Sequence, residues 1–543
     1  MEEIKNVVLS QQEPSTEEKQ LAASAPITQE KRLFELNKSD TVFSVCAVAF
    51  SVFTFVFGVF SGYALGYLIS CLLMAGLFIA YFAKSSKFRF LPAFCGFLSV
   101  AISAVFICTS NVSVRFFGAA VSFLLGLLAF DNLVFGSAKG NRGTIDVFFS
   151  ALSSAKHVPV AIKSLFVNAD GDKKSLGKAL IGLICAVPVL VVIVPLLISS
   201  DDAFSGMMSD IFGNSVSTVF KVLFGLVASL FVISYGFSIK KGRVTRSKKG
   251  DIPTIESIYV ASFLSAISIC YLLYLFSQLA YFFSAFKGFL PNGQITYAQY
   301  ARKGFFEMCA IAVINLVLVF VSLIFAKKKN AKVTNGVKVL TTFISCFTLV
   351  IISTAISKMV LYINEYGMTV LRLTTSAFMV FLTAVFISVI LRIYLEKINI
   401  VKTALVAAGC ILLVLGTLNV NGVCAKYNYE SYVSKKLPSI DVTALYDLGD
   451  EGVPYLAKLA DDKDEKVAKE AKKYLAQAFA FDYFEDMHNA MVFSPDTLKG
   501  KEKYGGFGHF SIPRKAAYQS LYTFLAEHPS FVYSCDNYLK DSF

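Results

Sequence analysis

The chain has 543 residues, 55% of them hydrophobic and only 16% charged, with 52 Phe, no Trp and a formal net charge of +13. Soluble proteins of this length are about a quarter charged, so the composition excludes an ordinary soluble fold. The apolar residues fall into blocks of about twenty, enough to carry a helix across a hydrocarbon core of roughly 30 Å. Backbone groups in lipid must bond within the chain, and the blocks lack the polar–apolar alternation of a β-barrel.

In chain order, residues 1–40 are polar and read as a disordered cytoplasmic tail with no cleavable signal. Eleven spans are predicted, near 42–60, 63–83, 91–110, 117–136, 179–199, 215–237, 258–284, 305–326, 338–362, 373–392 and 401–420. The fold class is therefore all-α, a polytopic helical bundle over 41–420. Ser61-Gly62 predicts a tight hairpin. The run from Ile145 to Phe166, carrying Lys156 and Lys163, is amphipathic and predicts a helix lying on the membrane surface.

Basic residues precede the first span and follow every even-numbered one. They include Lys31 and Arg32, Lys84 and Arg89, the six of 240–249, and Arg392 with Lys397. The loop after the third span has only Arg115, and the loop after the fifth carries Asp201 and Asp202. Retention of Lys and Arg on the cytoplasmic side predicts a cytoplasmic N-terminus and, with eleven spans, an extracytoplasmic C-terminus in a cell membrane.

Residues 421–543 change character. They hold 15 Lys plus Arg against 18 Asp plus Glu, a net −3 that leaves +16 on the rest of the chain. That basicity suits topology and anionic headgroups. Nucleic-acid binding would need a clustered basic face with stacking aromatics, and none is visible. The run DLGDEGVPYLAKLADDKDEKVAKEAKKYLAQAF, Asp447 to Phe479, resembles a HEAT-type helix pair, which cannot bury its apolar face alone. A last helix is predicted from Pro513 to Glu527 with Ser511 as its N-cap. Nine of the eleven Cys lie in apolar stretches; Cys424 and Cys535 do not, and either a disulfide or two free thiols suits them.

Three polar constellations fall at outer membrane boundaries. SSDDAFSGMMSDIF follows a span whose Pro188 and Pro195, seven residues apart, predict kinks on one helix face. TYAQYARKGFFE carries Tyr300, Arg302 and Glu307, and NEYGMTVLR carries Tyr366 and Arg372; Lys358 lies one turn inside its helix end. An outward-facing polar pocket is one reading of these groups. Charges that snorkel to water and pair locally to fix helix orientation are the plainer one. Within the spans, Lys221 and Asp131 are expected to reach the interface, and Asn315 to bond a neighbouring helix. His157, His488, His509 and His528 share no ligand spacing, and no Ser sits in a nucleophile elbow. No metal or cofactor is expected.

The phrases PLLISSDDAF, LPNGQITYAQYARKGFFEM, YGMTVLRLTTSAFMVFL and LNVNGVCAKYNYESY resemble, in that order, the uncharacterised bacterial multi-spanning proteins of domain-of-unknown-function 4153 and 4173 type. The resemblance runs from roughly Leu180 to Leu459. It implies a multi-pass bacterial membrane protein and lends no activity, substrate or cofactor. Its motifs coincide with the three constellations, which favours a shared site or a shared structural joint there.

The leading functional expectation is a non-enzymatic membrane protein whose extracytoplasmic helical domain meets an envelope protein partner or signal, its other partner being the lipid bilayer. A transporter whose path runs past the kinked fifth span is the second. The third is a membrane enzyme acting on lipid-linked substrates, with Asp201, Asp202 or Glu307 as acid or base.

Overall fold

In the computed structural model the described residues are 34–59, 64–84, 89–135, 144–166, 189, 193, 196–197, 199–201, 216–240, 254–287, 305–326, 334–395, 398–483, 510–531 and 538. Among them the regular structure is helical throughout, with one isolated bridge between Ile255 and Ala326. The membrane helices are α1 (Lys38–Phe53), α2 (Ala64–Phe82), α3 (Phe90–Val105), α4 (Val112–Phe135), α5 (Thr144–Ser154), α6 (Val158–Phe166), α7 (Val216–Lys240), α8 (Ser257–Lys287), α9 (Phe305–Phe325), α10 (Asn335–Tyr366), α11 (Val370–Tyr394) and α12 (Ile400–Leu418). A π-helical stretch, Thr54–Val59, continues α1.

Ten segments among the described residues are long and apolar enough to cross a membrane. Two differ from the sequence reading. The run predicted to lie on the surface forms α5 and α6, joined through the 3-10 turn Ala155–His157, and Thr144–Leu165 qualifies as a span by length and composition. The third predicted span is shorter than expected, because α3 ends at Val105, about 24 Å long at 1.5 Å per residue. Beyond it, the Phe106 and Thr109 carbonyls accept from Arg115 at 3.1 and 2.8 Å and leave the helical pattern. The fifth predicted span lies largely outside the described residues.

The chain divides into two compact units. In the first (Met1–Val56, Gly76–Lys84, Phe149–Arg246), α1 and α6 pack on α7. Phe43 stacks on Tyr81 at 3.9 Å between centroids and meets Phe78 edge-on at 5.7 Å. A Cβ on Gly225 would lie 2.6 Å from the Val52 Cα, so only glycine permits this approach of α7 to α1.

In the second unit (Phe57–Ala75, Ser85–Phe148, Ser247–Phe543), α10 packs on α8, α9 and α11, α11 on α12, and α12 on α3 and α4. The space between α9, α10 and α11 is filled by Met308, Phe347, Ile351, Met379 and Phe386. Gly409 and Gly416, seven residues apart on one face of α12, face Leu98 with Leu125 and Val105 with Val114. Lipid offers no hydrophobic drive to associate, so such small residues gain contact by close approach.

After α12, Asn419 turns left-handed (φ 55°), which Asn tolerates better than most residues. It starts α13 (Val420–Val433) by accepting from Gly422 N–H. Then follow α14 (Val442–Tyr446), α15 (Val453–Leu459), α16 (Glu465–Gln477) and α17 (Ile512–Glu527). Asp441, Asp464 and the expected Ser511 cap α14, α16 and α17 with their side chains. The apolar stripe of α15 and α16 (Leu456, Leu459, Leu475) is covered by Leu521 and Phe524 of α17 and by Cys424 of α13. Burial pushes the Cys424 thiol up to about 12. Cys535 lies outside the described residues.

Candidate functional site

Of the predicted polar cluster, Asp202, Tyr300 and Arg302, with the kink prolines Pro188 and Pro195, lie outside the described residues. Asp201 is exposed and its N–H donates to the Leu197 carbonyl at 3.2 Å. It belongs to the first unit, and the other described members belong to the second. Glu307 is exposed in the first turn of α9 and interacts electrostatically with Lys358, half-buried on α10.

Tyr366 and Arg372 do meet, as a clamp on the α10–α11 turn. The Arg372 guanidinium donates to the Tyr366 carbonyl at 3.1 Å and the Gly367 carbonyl at 2.5 Å, and lies 4.1 Å from the Tyr362 ring centroid. It thereby satisfies carbonyls that the end of α10 leaves without intrahelical donors. Gly367 has φ +78°, and a Cβ there would stand 2.7 Å from the Asn428 Oδ1. That oxygen accepts from Met368 N–H at 2.7 Å, while the Asn428 amide donates back to the Met368 carbonyl at 2.8 Å. The turn is therefore held to α13 through one asparagine that reads both polar groups of one residue.

A second joint forms where the α3–α4 tip meets the C-terminal helices. Asn111 accepts from Val114 N–H at 2.9 Å, capping α4, and donates to Asn421 on α13 at 2.7 Å. Asn421 in turn donates to the Leu448 carbonyl at 2.9 Å. Glu451, 5% exposed, accepts from both the backbone N–H and the hydroxyl of Ser110. Arg115 interacts with Asp450 and Glu451, and Arg514 on α17 approaches Asp450 at 3.7 Å. The Ile512 N–H donates to the Ile107 carbonyl at 2.9 Å. Burial raises the Glu451 carboxyl above the usual carboxylate value; the Ser110 donors work against that rise and the nearby Asp450 adds to it.

Asn421 and Asn428 are seven residues apart, so they share one face of α13. Each grips a different membrane hairpin. Sequence reading singled out Arg115 only as an isolated charge and missed Ser110, Asn111, Asn421, Asn428 and Glu451. The available signal was the motif LNVNGVCAKYNYESY, which contains both asparagines of α13.

Other polar groups knit the spans internally. Asn315, fully buried, accepts from the Tyr271 hydroxyl at 2.6 Å and donates to Thr348 at 2.9 Å, as expected of an interhelical bond. Ser99 and Ser122 exchange hydroxyl-to-carbonyl bonds between α3 and α4 at 2.7 and 2.8 Å. In the first unit, buried Asp40 accepts from Lys240 at 2.5 Å and from the Tyr81 hydroxyl at 2.9 Å. Asp131, near the end of α4, is fully buried. Among the described residues no three His, Cys, Asp or Glu side chains gather to hold a metal ion.

No curated protein and no solved structure matches the chain. A family model, Domain of unknown function (DUF4153), matches residues 68–459, starting well before the motifs that carry the resemblance and reaching through α15. Both joints on α13, apart from the α17 contacts, fall within it. The chain is a multi-span helical membrane protein that belongs to the DUF4153 family.

Proposed function

We propose that this protein is a non-enzymatic membrane scaffold that holds a helical module, residues 421–543, in fixed register on two membrane hairpins on the extracytoplasmic side. The observation carrying the reading is the shared face of α13. Asn421 bonds the α3–α4 tip and Asn428 the α10–α11 turn, so a force on the module is felt by both hairpins. The sparse basic charge of the 106–115 and 367–372 loops supports an outer location for this end of the bundle.

The apolar stripe of α15 and α16 is covered within the chain, so a partner would be met by the polar face. Lys463, Lys466, Lys469 and Glu470 of that face are exposed. An envelope protein or peptide with complementary charge is the expected partner. A transport path would run between the fifth, eighth and tenth predicted spans. The fifth lies largely outside the described residues, and the packing of Met308, Phe347 and Phe386 bears only on the space beside the other two.

The test has two parts. In spheroplasts, protease added outside should remove a C-terminal epitope tag and spare an N-terminal one; the reverse pattern contradicts the orientation. Photo-crosslinking from Lys466 and Lys469 in intact cells should yield one discrete adduct. An absence of any specific adduct across growth conditions contradicts the partner reading.

A further inference from the structure

The exposed apolar residues of the C-terminal helices are not scattered. Among the described residues after Leu418, three large apolar side chains are exposed: Val433 at 58%, Phe510 at 45% and Ile512 at 54%. Two of the three stand together at the start of α17. The core face of that helix is already complete, with Pro513, Ala517, Leu521, Phe524 and Leu525 buried. Phe510 and Ile512 therefore lie outside the packing that holds the helix in place.

Their position along the membrane axis is fixed by one bond. Ile512 N–H donates to the carbonyl of Ile107 at 2.9 Å. Ile107 lies just past the end of α3, and four residues on, Asn111 caps α4, whose candidate span begins at Val112. The start of α17 is thus tied to the end of α3, next to the start of the α4 span. On the first turns of α4, Val112, Phe116 and Phe117 are 80, 69 and 59% exposed, as expected of a span whose outer surface meets lipid. Lys515, exposed, follows close by, a cationic flank common where apolar side chains enter a headgroup layer.

We propose that Phe510 and Ile512 insert into the headgroup–acyl boundary of the bilayer, extending the lipid-facing band of the α3–α4 hairpin onto the C-terminal helices. The occupant is lipid because the patch is tied by the Ile107 bond to the end of α3, close in sequence to the exposed apolar first turns of α4, and has exposed Lys515 beside it. This holds on whichever side of the membrane the module lies, so its failure and that of the scaffold reading are separable. Removing two such side chains from water favours seating α17 on the membrane, and the bond to Ile107 sets its depth.

The absence of Trp makes the test direct, since any introduced Trp is the only indole in the chain. Phe510→Trp, Ile512→Trp and, as the control, Thr523→Trp on an exposed turn of the same helix are reconstituted as full chains in phosphatidylcholine–phosphatidylglycerol vesicles. Lipids brominated near the top of the acyl chain should quench the first two about twofold, with blue-shifted emission, as expected of an interfacial indole. The control should be unquenched by bromolipid and open to aqueous iodide. Iodide access at 510 and 512 with no bromolipid quenching would overturn the proposal, placing the patch in water. Shielding from both quenchers would overturn it too, because a protein surface would then be the occupant. A polar replacement, Ile512→Asn, should lower vesicle-dependent protease protection of residues 510–531 without changing the helix content of the bundle; unchanged protection contradicts insertion.

Discussion

The two hairpin tips that meet α13 solve one problem with different chemistry. The α10–α11 turn is compact: a left-handed Gly367, an arginine closing its own helix end, and one neutral side chain, Asn428, bonding both backbone groups of Met368. The α3–α4 tip uses residues from four places in the chain and includes a buried carboxylate, Glu451, beside Asp450 and Arg115. The first joint combines a local turn clamp with one contact 60 residues away in sequence, Asn428 with Met368. The second is set by contacts 310 and 341 residues apart in sequence, Asn111 with Asn421 and Ser110 with Glu451. The turn clamp is legible in a short motif, whereas which residue of α13 meets which tip is not.

Substitutions sharpen the contrast. The largest effect is expected at Gly367, where Val meets both a positive φ and the Asn428 oxygen 2.7 Å from its Cβ. Gly367→Val should cost about 3 kcal/mol or more, the scale of backbone strain combined with a steric clash. Thermal unfolding of the detergent-solubilised chain reads this; an unchanged midpoint would break the assignment of the turn.

Next comes Glu451→Ala, which leaves the Ser110 N–H and hydroxyl unsatisfied and should cost about 2 kcal/mol. Asn421→Ala should follow at about 1–3 kcal/mol, and Asn428→Ala should be milder because Asn428 is only part-buried. Denaturant midpoints in the same detergent rank the three. Equal effects for the two asparagines would argue that burial does not distinguish the tips.

The smallest effect separates the joints by charge. The folded chain holds the Glu451 proton more tightly than the unfolded chain does, because burial outweighs the Ser110 donors. Its contribution is therefore most favourable below the ordinary glutamate value, and stability falls as pH rises through the raised value. Midpoints measured across the acidic range should show that slope in the native chain, flattened in Glu451→Gln and retained in Asn428→Ala. A slope of the opposite sign would mean that Arg115 and the Ser110 donors, not burial, govern the carboxylate.

Hydropathy made most spans legible, since a helix in lipid must be apolar over its whole length. The 145–166 run, read as a surface helix, forms two helices whose combined length and composition also suit a span. Charge placement singled out Arg372 and Tyr366, which meet in the turn between α10 and α11. A charge at a helix end shows that a partner is needed without showing which one, and here the partners are backbone carbonyls that carry no sequence signal. Asp131 shows that nearness to a helix end says little about what packs over a residue.

The central claim is that one face of α13 holds both hairpins at once, and crosslinking in native membranes tests it most directly. A protease site is placed in the basic loop at 242–250, and a short bifunctional thiol reagent is applied to Asn111→Cys/Asn421→Cys, with the parent chain and Asn111→Cys/Asn428→Cys as controls. The last pair is offset by two helical turns, about 10 Å. The account predicts that after cleavage the two fragments stay joined in the first pair and separate in both controls. Separation in the first pair, or equal joining in the offset pair, would contradict it.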